Sequence, residues 1–239
     1  MAWTVASYAR RTATAEPLIR ILVAMLENIY LFFELLSFIV AVVLYPKYKH
    51  TPYKYLLPYL LLVLIYEYGT ISRWFAINHR NLYIANINWN IFFAVFGFLL
   101  TRLTRTFAFK KWMRFAVVIT LALSLLNEAF FQGFWDLDSY TILLQFIVII
   151  VFNGLFFYEL MHYANEQLSV TSIPGFWLNT GLLFFCLANF LFYASFAIMA
   201  YSGDPNYLLL FQVIVNIAIA ILYSCLTAVF LCFRKRSAR

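Results

Sequence analysis

Charged residues are what this chain has least of. Only 11% of its 239 residues are Asp, Glu, Lys or Arg, whereas 65% are hydrophobic. An ordinary soluble domain carries about 25% charged residues, and a soluble fold of this length could not hide so much apolar surface. The composition therefore excludes an ordinary soluble domain and predicts a protein that resides in a bilayer.

The residues that common cofactor chemistries need are also scarce. The three histidines, His50, His79 and His162, lie in predicted loops or at the ends of apolar segments, where they could not converge on a metal ion or haem. The last apolar segment has no lysine for a retinal Schiff base, and there is neither a glycine-rich phosphate loop nor a Gly-x-Ser-x-Gly motif. The three cysteines lie in or beside apolar segments and predict no disulfide framework. We therefore expect no enzyme activity, no metal and no cofactor.

Seven long apolar segments fill most of the chain. Each has about 20 residues, enough for a helix to cross the hydrocarbon core of a bilayer. They lie at residues 22–45, 55–74, 82–103, 114–133, 139–161, 174–200 and 207–232. The sequence thus predicts an all-α, polytopic membrane protein, with an N-terminal extension at 1–21, a seven-transmembrane-helix bundle at 22–232 and a basic cytoplasmic tail at 233–239.

The basic residues indicate how this bundle is oriented. Twelve of the 17 Lys and Arg residues fall in the first connection, the third connection and the tail, and such residues accumulate on the cytoplasmic side. We expect the N-terminus outside and the C-terminus in the cytoplasm. The basic residues are divided among short loops, which predicts contact with anionic membrane lipids and no nucleic-acid binding.

Several predicted helices carry polar residues three, four or seven positions apart, and therefore on one face. Facing lipid would leave these groups without hydrogen bonds, so we expect them to line the bundle interior. This supporting interior set consists of Arg73, Asn90, Gln132, Asn189, Tyr193, Gln212 and Asn216. Hydrogen bonding between helices is the alternative role for the amides and hydroxyls.

Four carboxylates inside the segments are the candidate site. By their position along the segments, Glu27, Glu67 and Glu128 lie near the outer ends of three helices, and Glu34 lies deeper. Ionisable residues at such depths face the interior and are functional candidates. We expect them to converge on one outer-facing cavity that binds a ligand or cation and holds at least one proton or cation at neutral pH. Nearby Tyr and Trp rings suit a cationic ligand. A structural ion-pair network, or rim residues wetted from outside, is the alternative.

Two strings carry a family resemblance. The string YPKYKHTPYKY at 45–55 follows the first segment, and FWLNTGLLF at 176–184 opens the sixth. With the helix layout, they resemble a group of bacterial seven-helix membrane proteins. The resemblance implies a multi-pass protein of the bacterial inner membrane and carries no activity with it.

Three function classes stay open. The first is a membrane sensor or receptor-like subunit that signals through a cytoplasmic protein partner docked on the basic loop 102–114 and the tail. The second is a transporter or a proton- or cation-conducting protein, in which Glu34, Glu67 and Glu128 carry the ion. The third is a lipid-handling enzyme, which is disfavoured because the inner side lacks an Asp/His cluster for metal or phosphate chemistry.

Overall fold

The computed structural model describes residues 17–77, 81–163, 169–202 and 205–236, with side chains at 29–77, 81–162, 169–195 and 210–234. Its regular elements over these ranges are helices. The α-helices are α1 (Pro17–Tyr48), α2 (Leu56–Ile71), α3 (Leu82–Leu103), α4 (Phe107–Phe130), α5 (Ser139–Tyr163), α6 (Pro174–Ser202) and α7 (Pro205–Arg236). Short 3₁₀ helices, Pro52–Tyr55 and Val170–Ser172, precede α2 and α6.

Six of these helices are long and apolar enough to cross a membrane, and the exception is α2. Its 16 residues give a rod of about 24 Å, shorter than a hydrocarbon core of about 30 Å. The 3₁₀ helix Pro52–Tyr55 runs directly into it and adds length at one end. The prediction of an all-α membrane bundle is therefore confirmed for the described ranges, with six membrane-length helices and a shorter seventh.

Proline and basic residues explain where the helices begin. Pro17, Pro174 and Pro205 are the first residues of α1, α6 and α7, positions at which the missing N–H has no intrahelical partner in any case. Helix α4 begins at Phe107, ahead of the residue 114 predicted from hydropathy, because Lys and Arg are good helix formers although they are polar. The predicted basic loop 102–114 is thus mainly the ends of two helices joined by residues 104–106.

The helices pack as a ring. α7 makes extensive contacts with α1 and α6, α6 continues to α5, and α2 lies between α1 and α3. α4 packs against α3 and α5. Aromatic rings of α3 fill the interior: Trp89 lies 5.1 Å from Phe146 of α5, and Phe92 lies 5.2 Å from Phe185 of α6, between ring centroids. Large apolar side chains are exposed on the outer surface, as expected for contact with lipid.

Candidate functional site

A cavity lies among α1, α2, α3, α6 and α7. Its free volume is about 40 Å³, enough for about three water molecules, and the cavity is partly open to the surroundings. Six of its twelve lining residues are aromatic. The lining residues are Glu34, Tyr59, Val63, Tyr66, Glu67, Asn88, Trp89, Phe92, Phe185, Ile219, Leu222 and Tyr223.

Glu34 enters this cavity from the middle of α1. The buried residues of α1 recur every three or four positions, which forms a single stripe along the helix. They are Tyr30, Glu34, Ser37, Ala41, Leu44 and Tyr48. The Glu34 side chain is only 1% exposed, and its Oε1 atom is buried with no hydrogen-bond partner. The periodicity that directs α1 into the bundle therefore also directs an unpaired carboxyl oxygen into the cavity.

Glu67 enters the same cavity from α2. Its side chain is half-buried, and its Oε2 atom is buried without a hydrogen-bond partner. Of the two tyrosines beside it in sequence, Tyr66 is buried and lines the cavity, whereas Tyr68 is 59% exposed. Consecutive helical residues point about 100° apart, which explains why only one of the two tyrosines reaches the site.

Aromatic side chains hold the rest of the cavity in place. Trp89 Nε1 donates a 3.1 Å hydrogen bond to the Tyr193 hydroxyl, which joins α3 to α6 beside the cavity. Tyr59 packs edge-on against Phe96, with 4.9 Å between ring centroids. The walls therefore combine aromatic ring faces with the polar groups of Glu34, Glu67 and Asn88.

This arrangement suits a positively charged guest. Two carboxyl groups face the cavity, and none of the described residues that line it is Lys, Arg or His. Two carboxyl groups that share a desolvated site favour the uptake of a proton or a cation. Across the described residues, no group of three or more His, Cys, Asp or Glu side chains forms a metal site.

The structure corrects the expected grouping of the carboxylates. Glu34 and Glu67 share the cavity, but Glu128 does not line it. Glu128 instead accepts a 2.7 Å hydrogen bond from Asn90 Nδ2, between α4 and α3. Depth along a helix could be read from the sequence, but the position of α4 around the bundle could not. The side chain of Glu27 lies outside the described residues.

Glu128 belongs to a second polar group, which we call the α3–α5 polar cluster: Asn90, Ser124, Glu128, Asp138, Thr141 and Gln145. Ser124 Oγ lies 2.7 Å from Asn90 Oδ1 and 3.0 Å from Asp138 Oδ2. Asp138 is 1% exposed and also accepts hydrogen bonds from Asn127 Nδ2 and the Thr141 hydroxyl. These bonds tie the α4–α5 connection to the bundle, so the cluster fits a structural role.

The expected supporting residues divide into three groups. Asn189, Tyr193, Gln212 and Asn216 are buried in α6 and α7. Asn90 and Gln132 are half-buried, and Gln132 Nε2 donates to Ser139 Oγ at 3.1 Å. Arg73 is exposed in the turn after α2, so its predicted place in the interior is wrong. α2 ends at Ile71, and Arg73 adopts a left-handed backbone angle of φ 60°, as residues just past a helix end often do.

Sequence reasoning missed Glu159 and the polar face of α5. Glu159 is buried, and its two carboxylate oxygens accept hydrogen bonds of 2.8 Å from the backbone N–H groups of Arg105 and Thr106. It therefore holds the connection between α3 and α4, just ahead of α4. Thr141 and Gln145, four residues apart, mark the same kind of polar stripe that was read in other helices. That spacing was the available signal.

No protein-family model, curated protein or solved structure matches this chain. The geometry of the cavity is therefore the basis on which a function is proposed.

Proposed function

We propose that this protein is an integral membrane receptor-like subunit that binds a small ligand in the Glu34–Glu67 cavity and signals through a cytoplasmic protein partner. One observation carries the proposal: two helices each bring a buried, unpaired carboxyl oxygen to one cavity with aromatic walls. A concave, mainly apolar site with a few convergent polar groups is the usual form of a ligand pocket. Carboxyl groups buried in a membrane are costly and are functional candidates by default.

The proposed topology places the cavity on the outer side of the bacterial inner membrane. We take all seven helices as spans, with α2 extended by its 3₁₀ helix, the N-terminus outside and the C-terminus in the cytoplasm. The distribution of Lys and Arg supports this orientation. Glu67 then lies one turn from the outer end of α2, so a ligand arriving from outside reaches it first.

The proposed partner surface lies at the opposite end of α3 and α4. Arg102, Arg105 and Lys111 are exposed there, and the connection between these helices is held by Glu159 of α5. A basic rim of this kind suits a partner with an acidic surface. α3 carries both Trp89 at the cavity and Arg102 at the rim. It can therefore relay a change from one end to the other.

A genetic experiment in the native host tests this proposal without knowing the ligand. We expect deletion of the gene to change the transcription of a defined gene set. Glu34→Gln and Glu67→Gln should reproduce the deletion at unchanged protein level, and a combined Arg102→Gln, Arg105→Gln, Lys111→Gln variant should do the same. Glu128→Gln, which alters a carboxylate outside the cavity, is the matched control. Normal transcription with both cavity variants would refute the receptor role.

One observation favours a proton- or cation-conducting protein as the second candidate. Ser37, Asn179, Asn189 and Asn216 each bury a side-chain atom that has no hydrogen-bond partner, on α1, α6 and α7. Unpaired polar atoms in a bundle suit a path for water and ions. Purified protein in liposomes with a pH-sensitive dye or a sodium- or potassium-sensitive dye inside separates the two candidates. The receptor proposal predicts no flux above that of empty liposomes. No observation on the described residues supports the third class, a lipid-handling enzyme.

A further inference from the structure

We infer that the ligand of the Glu34–Glu67 cavity is a protonated primary amine with a small apolar body. This inference rests on the proposed function, because it names the chemical class that the same cavity takes. It draws on three features of the lining: the unpaired carboxyl oxygens, the aromatic walls and the absence of a basic side chain.

The two unpaired oxygens require hydrogen-bond donors. Glu34 Oε1 and Glu67 Oε2 come from different helices and are both buried without a partner. A buried acceptor left unpaired costs about 1–3 kcal/mol, and more when it is charged. A primary ammonium group carries three N–H donors on one atom. One such group can therefore serve both carboxyl groups and supply the positive charge that the cavity lining lacks.

The aromatic walls fit the rest of such a molecule. Tyr59, Trp89, Phe92, Phe185 and Tyr223 surround the carboxyl groups from four helices. A ring face attracts a cation that lies within about 6 Å of its centre, and it also packs against apolar groups. The free volume of about 40 Å³ takes an ammonium group with its first carbons. Because the cavity is open, the rest of a small apolar body lies at its mouth.

Two other cations fit less well. A calcium ion takes about six to eight oxygen ligands, and the carboxyl groups of Glu34 and Glu67 with the Asn88 amide supply fewer than that, so tyrosine hydroxyls would have to complete its shell. A quaternary ammonium ion would satisfy the ring faces, but it has no N–H group for either unpaired oxygen. The lining therefore predicts a preference for primary over quaternary amines, which distinguishes it from an all-aromatic cage.

Matched probes test the chemical class directly. We would titrate purified protein in nanodiscs with butylamine, 2-phenylethylamine and tryptamine, each protonated at neutral pH as a lysine amine is. Each amine is paired with its alcohol, and 2-phenylethylamine also with its N,N,N-trimethyl derivative. Empty nanodiscs correct for partition into lipid. We expect saturable heat of binding for at least one amine, at least tenfold weaker binding of the trimethyl derivative, and none for the alcohols. Calcium and sodium chloride should produce no saturable heat.

Cavity variants locate the binding. Glu67→Gln should weaken the binding of the best amine by tenfold to a hundredfold, the range expected for one lost bond to a charged group. Glu34→Gln should weaken binding to the same extent. If Glu34→Gln does not fold, Glu67→Gln still tests the inference, because Glu67 is only half-buried. Glu128→Gln should bind as the unaltered protein does. Three results would overturn the inference. They are no amine binding up to about 10 mM, where affinity is already very weak, equally tight binding of an alcohol, or an affinity of Glu67→Gln equal to that of the unaltered protein.

The transcription experiment and the amine-binding experiment distinguish failure of the receptor role from failure of the amine assignment. If the cavity variants disturb transcription in the host but no amine binds the purified protein, the receptor role stands and the amine assignment is wrong. If amines bind in a manner that depends on Glu67 but transcription is normal in both variants, the site is an amine site and the receptor role is wrong.

Discussion

The hydrogen-bond donors around each buried carboxyl group distinguish the Glu and Asp residues with a structural role from those of the candidate site. Glu159 accepts hydrogen bonds from two backbone N–H groups, and Asp138 accepts them from a side-chain amide and a hydroxyl. Glu34 and Glu67 each keep a buried oxygen with no donor. Hydrogen bonds to a carboxylate are among the stronger interactions in proteins, so acids of the first kind hold elements together. Acids of the second kind are suited to an external donor.

The carboxylate that holds the α3–α4 connection gives a prediction at this scale. Glu159→Ala should lower the free energy of unfolding by about 1.5–3 kcal/mol, the usual contribution of a hydrogen bond to a charged group, because two backbone N–H groups lose their partner. Glu159→Gln should lower it less, since one acceptor oxygen remains. The measurement is the thermal unfolding midpoint in detergent. Met161→Ala, at an exposed position of the same helix, is the control and should leave the midpoint unchanged. An equal midpoint for Glu159→Ala would show that these two hydrogen bonds contribute nothing to stability.

Single residues also show what sequence alone can give. The spacing of Glu34 within the apolar pattern of α1 was enough to predict that it faces the interior. Glu128 has the same kind of pattern in α4, yet it meets Asn90 and not Glu67. Which neighbour a buried face meets depends on the order of helices around the ring, and that order is a property of tertiary packing that no single helix carries.

At the scale of elements, the contact between α6 and α7 depends on a glycine. A Cβ atom on Gly181 would lie 2.7 Å from Cys225 Cβ and 3.3 Å from Leu222 Cα, closer than unstrained carbon atoms approach. Small residues at such positions allow membrane helices to pack closely. Because α7 also packs against α1, which carries Glu34, this contact helps to fix one wall of the cavity.

We therefore predict opposite effects for two alanine substitutions. Gly181→Ala should lower stability by about 1–3 kcal/mol, the usual cost of overpacking, and should weaken ligand binding by shifting α7. Gly154→Ala, on α5, meets nothing within 4 Å and should leave stability equal or raise it by about 0.4–1 kcal/mol. Thermal midpoints of the two variants in the same detergent decide the matter. A midpoint for Gly181→Ala at or above that of Gly154→Ala would contradict the close approach.

The α4–α5 connection depends on Asn86 of α3. Asn86 Nδ2 donates to the Asp136 carbonyl oxygen at 2.7 Å, and its Oδ1 accepts from the Asp138 N–H at 3.1 Å. Asn86→Leu keeps the volume but removes both bonds, so we expect a loss of about 1–3 kcal/mol. Asn86→Asp keeps the acceptor but puts a carboxylate oxygen in place of the donor to the Asp136 carbonyl oxygen, at a buried position, so it should lose at least as much. Hydrogen exchange followed by mass spectrometry should show faster exchange at 134–140 in the leucine variant. Unchanged exchange there would mean that the α3–α5 polar cluster holds the connection without Asn86.

Element boundaries show a second limit of sequence reasoning. Hydropathy found the positions of all seven helices, because each has a long apolar stretch. It placed the start of α4 at residue 114, although the helix begins at Phe107, because Lys110 and Lys111 are polar but helix-forming. A helix can extend beyond the apolar segment that crosses the membrane. The basic residues ahead of the apolar segment here belong to helix α4.

At the scale of the whole molecule, the ring of helices separates two polar regions. The Glu34–Glu67 cavity lies among α1, α2, α3, α6 and α7, and the α3–α5 polar cluster lies on the other side of α3. Trp89 and Asn90, consecutive on α3, belong to one region each. A rotation or shift of α3 would therefore move side chains of both regions together.

The proposed topology gives the last prediction, which concerns orientation. We expect a fluorescent protein that matures only in the cytoplasm to shine when fused after Arg239. A cysteine introduced in the α4–α5 connection should react with an impermeant thiol reagent in intact cells. Asp138 is 1% exposed and unsuitable for this label, whereas Trp135 is 53% exposed, so Trp135→Cys is the variant to use. Lys111→Cys, at the opposite end of α4, should react only after the cells are permeabilised. The native cysteines Cys186, Cys225 and Cys232 are buried and should add little background. A dark fusion, or labelling of position 111 but not 135 in intact cells, would reverse the orientation and place the Glu34–Glu67 cavity on the cytoplasmic side.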